Sequence, residues 1–293
     1  MEREAMGRVR VGVSGWSYDA WQGDVYPDGL PRSRRLAYVG ERFDTAEING
    51  SFYSLQAPDR YRSWYGDTPA SFRFAVKGSR FITHSKTLSD VEVPLGNFFA
   101  SGVLLLRQKL GPVLWQLPES HRFDAARLAS FLELLPKDVE EAVELGSRHD
   151  HRVEDVWLDP GKNHRIRHVL EARNESFFTP EAVRVLRRAG VALAVSHAGD
   201  WPMREELTAG FAYARLHGAP ETYRSGYGPA HLDAWARKAR AWRDGGEPED
   251  ARRITDRTPP RRKGRDVWIY FDNDAEGRAP RDARALLDRL GGV

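Results

Sequence analysis

The sequence predicts an α/β fold, a (β/α)8 barrel of the TIM type forming a single domain over residues 1–293, and three observations carry that prediction. Short apolar runs alternate with amphipathic stretches from one end of the chain to the other, which is the pattern of parallel strands joined by helical crossovers. Eight such runs can be marked out. At 293 residues the chain has room for eight strand–helix units, and no shift in composition divides it in two. An open doubly wound sheet is the rival arrangement.

The strands are expected at Val9–Ser14, Thr45–Asn49, Phe72–Lys77, Val113–Leu117, His168–Arg173, Val191–Ser196, Phe211–His217 and Asp266–Phe271. Each is a short run rich in Val, Ile, Phe or Tyr bounded by turn residues. Between them, Thr179 caps a helix with Pro180 at its first position, an apolar face of Val183, Leu186 and Ala189, and Gly190 as its stop. Further helices are expected over Asn97–Leu110, Asp124–Leu135, Pro229–Arg243 and Pro280–Leu290. Two connections are long: Asp138–Arg165 inserts an extra helix and a loop before the fifth strand, and Gly245–Arg265 is rich in Arg and Pro.

Composition narrows the chemistry. A 41% hydrophobic content with nine Trp supplies a large core, and 30% charge with a mean hydropathy of −0.60 gives a polar exterior. No apolar run is long enough to span a bilayer, and the start MEREAMGRVRVGVSG lacks the pattern of a secretory signal, so a cytoplasmic location and no membrane partner are expected. The absence of Cys removes disulfides, thiolate zinc sites, iron–sulfur clusters and cysteine nucleophiles. A net charge of +3 and a pI near 9.1, with Arg dominating Lys, favour phosphate or carboxylate partners.

In a barrel of this kind the site forms at the carboxyl ends of the strands, and residues two apart on a strand point the same way. Glu47 and Asn49 then share a face of the second strand, Glu171 and Arg173 of the fifth, Arg215 and His217 of the seventh, and Tyr270 and Asp272 of the eighth. Lys77 and Gln116 close the third and fourth. Polar groups at the ends of apolar strands are costly to bury unless paired or in contact with ligand, so they are expected to converge on one polar mouth. The same groups can instead neutralise one another as a structural ion-pair network, and the sequence leaves both readings open.

Glu47 and Glu171 are the natural acid/base pair, with Glu171 beside Arg173 the better candidate for the ionised member. Lys77 joins them as the third catalytic candidate, as a charge stabiliser or Schiff-base lysine. A divalent metal is compatible with this set, with His84, His197, His217, Asp272 and Asp274 available as co-ligands. No nicotinamide or flavin motif is present.

Loops after the last two strands offer phosphate-binding features. ETYRSGYGP supplies a guanidinium, a hydroxyl and a close backbone amide from Arg224, Ser225 and Gly226, and DNDAEGRAP supplies Gly277 and Arg278 just before a helix. Ordinary turn formation explains the same glycines. Trp16, Tyr18, Trp21, Phe52 and Tyr53 place aromatic rings near the mouth, either to stack on a sugar or base or to pack a loop over the barrel. The candidate substrate-binding set is therefore Trp16, Tyr18, Asn49, Tyr53, His84, Gln116, Arg173, Arg215, His217, Tyr223, Tyr227, Asp272 and Asn273. His149-Asp150-His151 lies before the fifth strand, near the opposite rim, and reads as a solvated turn. The basic run Arg252, Arg253, Arg257, Arg261, Arg262, Lys263 and Arg265 also enters its strand from that rim, as a solvated loop or a nucleic-acid contact.

The stretches SGWSYDAWQGDVYP (Ser14–Pro27), TAEINGSFYSL (Thr45–Leu55), FRFAVKGSRFITH (Phe72–His84), GPVLWQLP (Gly111–Pro118) and VWIYFDND (Val267–Asp274) together resemble the YecE-like family, domain of unknown function 72. The resemblance runs through nearly the whole chain in order and implies the barrel, while implying no reaction. Relatives often carry an acidic residue after the sixth strand, where this chain has Ser196-His197 before Ala198-Gly199-Asp200-Trp201-Pro202; Asp200 replaces it only if the loop shifts.

The expected function is an enzyme of hydrolase or isomerase type acting on an anionic, phosphate- or carboxylate-bearing substrate. The alternative is a non-catalytic binder of nucleic acid or of an anionic metabolite. A third reading is a purely structural mouth.

Overall fold

Strands buried on both faces build a nearly closed ring of parallel chains. The computed structural model describes residues 7–199, 201–257, 259 and 262–291. Its strands are β1 (Val9–Ser14), β2 (Thr45–Ile48), β3 (Arg73–Lys77), β4 (Leu110–Gln116), β5 (His168–Glu171), β6 (Ala192–Leu193), β7 (Val195–His197), β8 (Phe211–Leu216) and β9 (Asp266–Phe271). They form one parallel sheet in the order β6-β5-β4-β3-β2-β1-β9-β8-β7. The two ends of that order are consecutive in the chain, so the sheet comes back on itself and closes nearly into a barrel.

The expected sixth strand, Val191–Ser196, is thus two pieces, and the reason is a change of partner. β6 pairs with β5 alone and β7 pairs with β8 alone. On the unpaired edge of β6 the Thr208 hydroxyl accepts from the Leu193 amide at 2.7 Å and donates to the Val191 carbonyl at 2.7 Å, standing in for a strand. At the break, the Ala194 amide donates to Leu170 O at 2.9 Å.

The helices follow local signals where those signals are strong. α1 (Arg35–Gly40), α2 (Gly50–Tyr53) and α3 (Pro58–Gly66) follow β1 and β2, and α4 (Glu92–Ala100) follows β3. Asp124, Asp138 and Thr179 cap α5 (Ala125–Glu133), α6 (Val139–Gly146) and α7 (Pro180–Ala189), each accepting a backbone N–H three residues on. α6 is the extra helix expected before the fifth strand. α8 (Pro229–Arg243) and α9 (Arg278–Leu290) complete the ring. The helix expected over Asn97–Leu110 is not continuous: α4 ends at Ala100, and 3-10 turns run from Val103 to Lys109. Gly102 takes φ +112°, and a Cβ there would lie 2.8 Å from Pro58 Cα, so packing against α3 ends the helix at a residue only Gly can be.

Two apolar layers result. Val11, Val13, Phe74, Val76, Trp115, Leu170 and Ile269 face outward onto the helices. Inside the ring, Ala75, Leu114, Val169, Ala192, Phe211, Tyr213, Trp268 and Tyr270 form a separate cluster. Arg10 stacks on Trp268 at 4.7 Å toward the amino-terminal end, and Tyr213 packs on Tyr270 one step higher. Above these rings, toward the carboxyl ends of the strands, the interior turns polar. No helix among the described residues is long and apolar enough to cross a membrane.

Candidate functional site

Residues two apart on each strand point into the ring, so strands far apart in the chain deliver their last inward side chains to one level. At its centre is Arg215 on β8, which is fully buried. Its Nη2 donates to Glu47 Oε1 at 2.7 Å, to Asp272 Oδ2 at 2.9 Å and to Ser14 Oγ at 3.0 Å. Its Nε reaches Glu47 Oε2 at 3.1 Å and its Nη1 reaches Glu171 Oε2 at 2.8 Å. The planar five-donor fork suits this hub as no ammonium would.

Glu47 is saturated. Besides Arg215 it accepts from the Ser14 hydroxyl at 2.5 Å and from the Tyr213 hydroxyl at 2.7 Å, while Asn49 Nδ2 donates to Ser14 Oγ at 3.1 Å. Glu171 faces both the hub and the opening. Its Oε1 accepts from Arg173 Nε at 3.0 Å and lies 3.6 Å from His217 Nε2. Burial alone would raise the Glu171 pKa, but Arg215 and Arg173 hold it well below the usual carboxylate range. Asp272 is lowered by the same contest of burial against Arg215, with His217 Nδ1 3.0 Å from its Oδ2. Neither ring nitrogen of His217 makes a directed hydrogen bond.

Three carboxylates are therefore set in direct contact with Arg215 and Arg173. A fourth, Asp274, responds by keeping its proton: burial and the charge of Asp272 push it up to about 8, and its Oδ1 is buried without a hydrogen-bond partner. The Tyr18 hydroxyl, whose ionisation burial and Asp274 also oppose, donates to Ser14 O at 2.6 Å.

Above the hub a cavity of about 470 Å³ opens between Phe52, Tyr53, Lys77, His84, Gln116, Pro118, Glu119, Ser120, Arg173 and Tyr223. Lys77 lies with its Nζ 4.1 Å from the centre of the Phe52 ring and makes no ion pair among the described residues. Burial, reinforced by Arg215, lowers it from 10.5 to about 8. Arg173 is braced from three sides: Glu171 holds Nε, Nη2 donates to the Tyr223 hydroxyl at 3.3 Å, and its guanidinium lies 3.9 Å from the centre of the Trp201 ring. His84 packs edge-on against Phe52 and shares a hydrogen bond with Thr83 Oγ1 at 2.9 Å; burial and Lys77 lower its pKa. Gln116 Nε2 donates to Leu117 O at 2.8 Å, and Tyr53 stands 71% exposed at the rim.

Other candidates stand away from this opening. Trp16 packs on Trp64 and Phe74 in the outer layer. The Tyr227 hydroxyl pairs with His197 Nδ1 at 2.9 Å, and Asn273 Nδ2 donates to Ser225 O at 3.0 Å and Asp282 Oδ2 at 2.8 Å. Asp282 also accepts from the Tyr227 amide at 3.0 Å, so a carboxylate of the chain occupies that turn. Asp150, between His149 and His151, exchanges hydrogen bonds with Asn97. Asp200 and Arg261 lie outside the described residues. For a divalent ion the donor set is divided, because Arg215 fills the space between Glu47, Glu171 and Asp272, while His197 turns to Tyr227. Among the described residues no three His, Asp or Glu side chains are grouped to hold a metal.

Sequence reasoning missed Ser14, Tyr213 and Trp201 as members of the site. The first two were within reach of the same period-2 rule, since Tyr213 precedes Arg215 by two and Ser14 is the last residue of β1, level with Glu47.

Comparison with known proteins agrees with this architecture. Over 116 residues the chain is 28% identical to the UPF0759 protein YunF of Bacillus subtilis strain 168, a match spanning 38% of this chain and 40% of that protein's length. A DUF72 family protein from Thermotoga maritima MSB8 superposes with a TM-score of 0.72 at 23% identity, covering 97% of this chain and 99% of the other. A DUF72 family protein from Enterococcus faecalis V583 gives a TM-score of 0.66 at 15% identity, with 97% and 95% covered. These structural likenesses speak to the fold alone. The profile described as "Protein of unknown function DUF72" matches residues 10–293, and with that span the chain belongs to the DUF72 family.

Proposed function

We propose that the carboxyl-end mouth of the barrel binds a small anionic substrate, bearing phosphate or carboxylate, and acts on it as an enzyme of hydrolase or isomerase type. One observation supports this reading above the others: Lys77 and Arg173 present two cations to the same cavity, and Lys77 has no carboxylate partner. A buried ammonium without an anion is unfavourable, and an incoming phosphate or carboxylate relieves that cost. Arg173, pre-set by Glu171 and Tyr223, anchors the anion through its remaining N–H groups.

In this reading Glu47 and Glu171 work differently from each other. Glu47 has no free lone-pair direction toward the cavity and serves as the fixed anion of the hub. Glu171 orients Arg173 and stands beside His217. Proton transfer then falls to Lys77, whose pKa near 8 lets it give and recover a proton near neutral pH.

The test is calorimetric titration with phosphorylated and carboxylated small molecules at fixed ionic strength, followed by turnover assays on those that bind. Arg173→Ala is expected to weaken binding about ten- to hundredfold, the loss of charge-assisted hydrogen bonds. Lys77→Met is expected to abolish turnover. Unchanged affinity in R173A rejects the site. Affinity for single-stranded nucleic acid that falls steeply with salt would favour the binding reading instead.

A further inference from the structure

We propose a second binding site at the opposite end of the barrel, in the cleft between α5 and α7, for a small molecule that carries an anionic head on an apolar or planar body. The cleft measures about 730 Å³, within the range of small-molecule sites. Its walls include Ile166 just before β5, Val191 just before β6 and Phe211 at the start of β8, which places it at the amino-terminal ends of the strands, a barrel's length from Lys77.

Its two halves differ in chemistry. The floor is made of Leu132, Ile166, Val191 and Phe211, all buried, with apolar surface turned to the cleft. The rim carries Lys137, Arg165 and Arg188, and none of the three makes an ion pair among the described residues. Neighbouring arginines are partnered: Arg184 with Glu181 at 3.4 Å and Arg167 with Asp266 at 2.7 Å. Of the two lining carboxylates, Asp138 is committed to capping α6, where it accepts from the Glu141 amide at 3.0 Å. Glu133, the other, is exposed on α5 and makes no ion pair among the described residues, so the three unpaired cations outnumber the two lining carboxylates and the cleft keeps a net positive charge.

Two histidines refine the picture. His168 contributes no charge: burial lowers it to about 4, and its ring is held between Pro136 O at 2.7 Å and Trp115 Nε1 at 3.2 Å. His164 lines the cleft with Nε2 buried and without a hydrogen-bond partner. An anionic head paired with Arg165 and Arg188, with its body on the apolar floor, uses each of these features, and the guanidinium fork suits phosphate and carboxylate alike.

The test is calorimetry with inorganic phosphate, adenosine 5′-monophosphate and decanoate, with adenosine and decanol as uncharged counterparts. Adenosine monophosphate or decanoate is expected to bind at least tenfold more tightly than inorganic phosphate and than its own uncharged counterpart. That binding is expected to weaken at least tenfold in R165A/R188A and to persist in R173A, which removes only any separate binding of the same probe at the mouth. Preference for the nucleotide assigns a phosphate on a ring, and preference for decanoate assigns a carboxylate on a chain. Both arginines are exposed, and a thermal melt checks that the double variant folds; R165Q and R188Q give the same reading singly. No binding by either probe, equal binding of the uncharged counterparts, or affinity that follows Arg173 and not Arg165 and Arg188 would overturn the proposal.

Discussion

Arg215 grips both oxygens of Glu47, Nη2 meeting Oε1 at 2.7 Å and Nε meeting Oε2 at 3.1 Å, and neither side chain touches solvent. A pair this deep is weak evidence for stability as a whole, but breaking it is costly, because one charge is left buried without its partner. The consequences of removing either end are not equal. Without Glu47, Arg215 still has Glu171 and Asp272; without Arg215, three carboxylates face one another.

Glu47→Gln is therefore expected to lower unfolding stability by about 3 kcal/mol, and Arg215→Met by more, in urea titrations at pH 7. The order matters as much as the size. Equal losses, or midpoints that do not move, would remove Arg215 from the role of hub.

Lys77 gives the mouth a signature in pH. Its folded pKa of about 8 lies below the ordinary 10.5, so between those values the unfolded chain binds the proton that the folded protein has lost. Stability then rises with pH across that window, by roughly 3 kcal/mol in total, and is lost again as pH falls through 8. Comparing wild type with Lys77→Met from pH 7 to 10.5 isolates the contribution. A constant difference between the two proteins would mean that Lys77 titrates normally.

Much of this was legible in the sequence, because alternation of period two fixes which strand residues face inward, and parallel runs with helical crossovers close only in a few ways. Glu47, Glu171, Arg215 and Asp272 followed from that rule. The division of labour among them did not, since it depends on how far each strand is staggered around the ring, which no local pattern encodes. The same limit hid the break at Ala194, made by Thr208 from beyond the strand, and the end of α4 at Gly102, set by its approach to Pro58. Tyr227 and Asn273 were placed on the correct loops, but Asp282 draws both away from the opening.

Asp274 carries a pH signature of opposite sign to Lys77. With its pKa raised from 3.8 to about 8 by burial and then by Asp272, the folded protein holds a proton that the unfolded chain releases, so stability from this group is complete below pH 4 and declines as pH climbs toward 8. Asp274→Asn removes the decline. The melting temperature of D274N relative to wild type is expected to rise between pH 4 and 8 and to level off above it. A difference independent of pH would show Asp274 to be an ordinary ionised carboxylate.

Gly78 tests how tightly the cavity wall is held. It follows Lys77, its amide donates to Leu114 O at 2.8 Å, and a Cβ at this position would lie 2.3 Å from both Cε3 and Cζ3 of Trp115. The indole cannot retreat, since it is fully buried between Phe98 and Phe131 and its Nε1 is bonded to His168. Gly78→Ala is therefore expected to cost about 1–3 kcal/mol by overpacking. Trp115→Leu vacates the clashing atoms at a cost of its own, so the two substitutions should be less than additive in a double-mutant cycle. Strict additivity in urea unfolding would mean that the end of β3 shifts away from Trp115 instead, and that Lys77 moves with it.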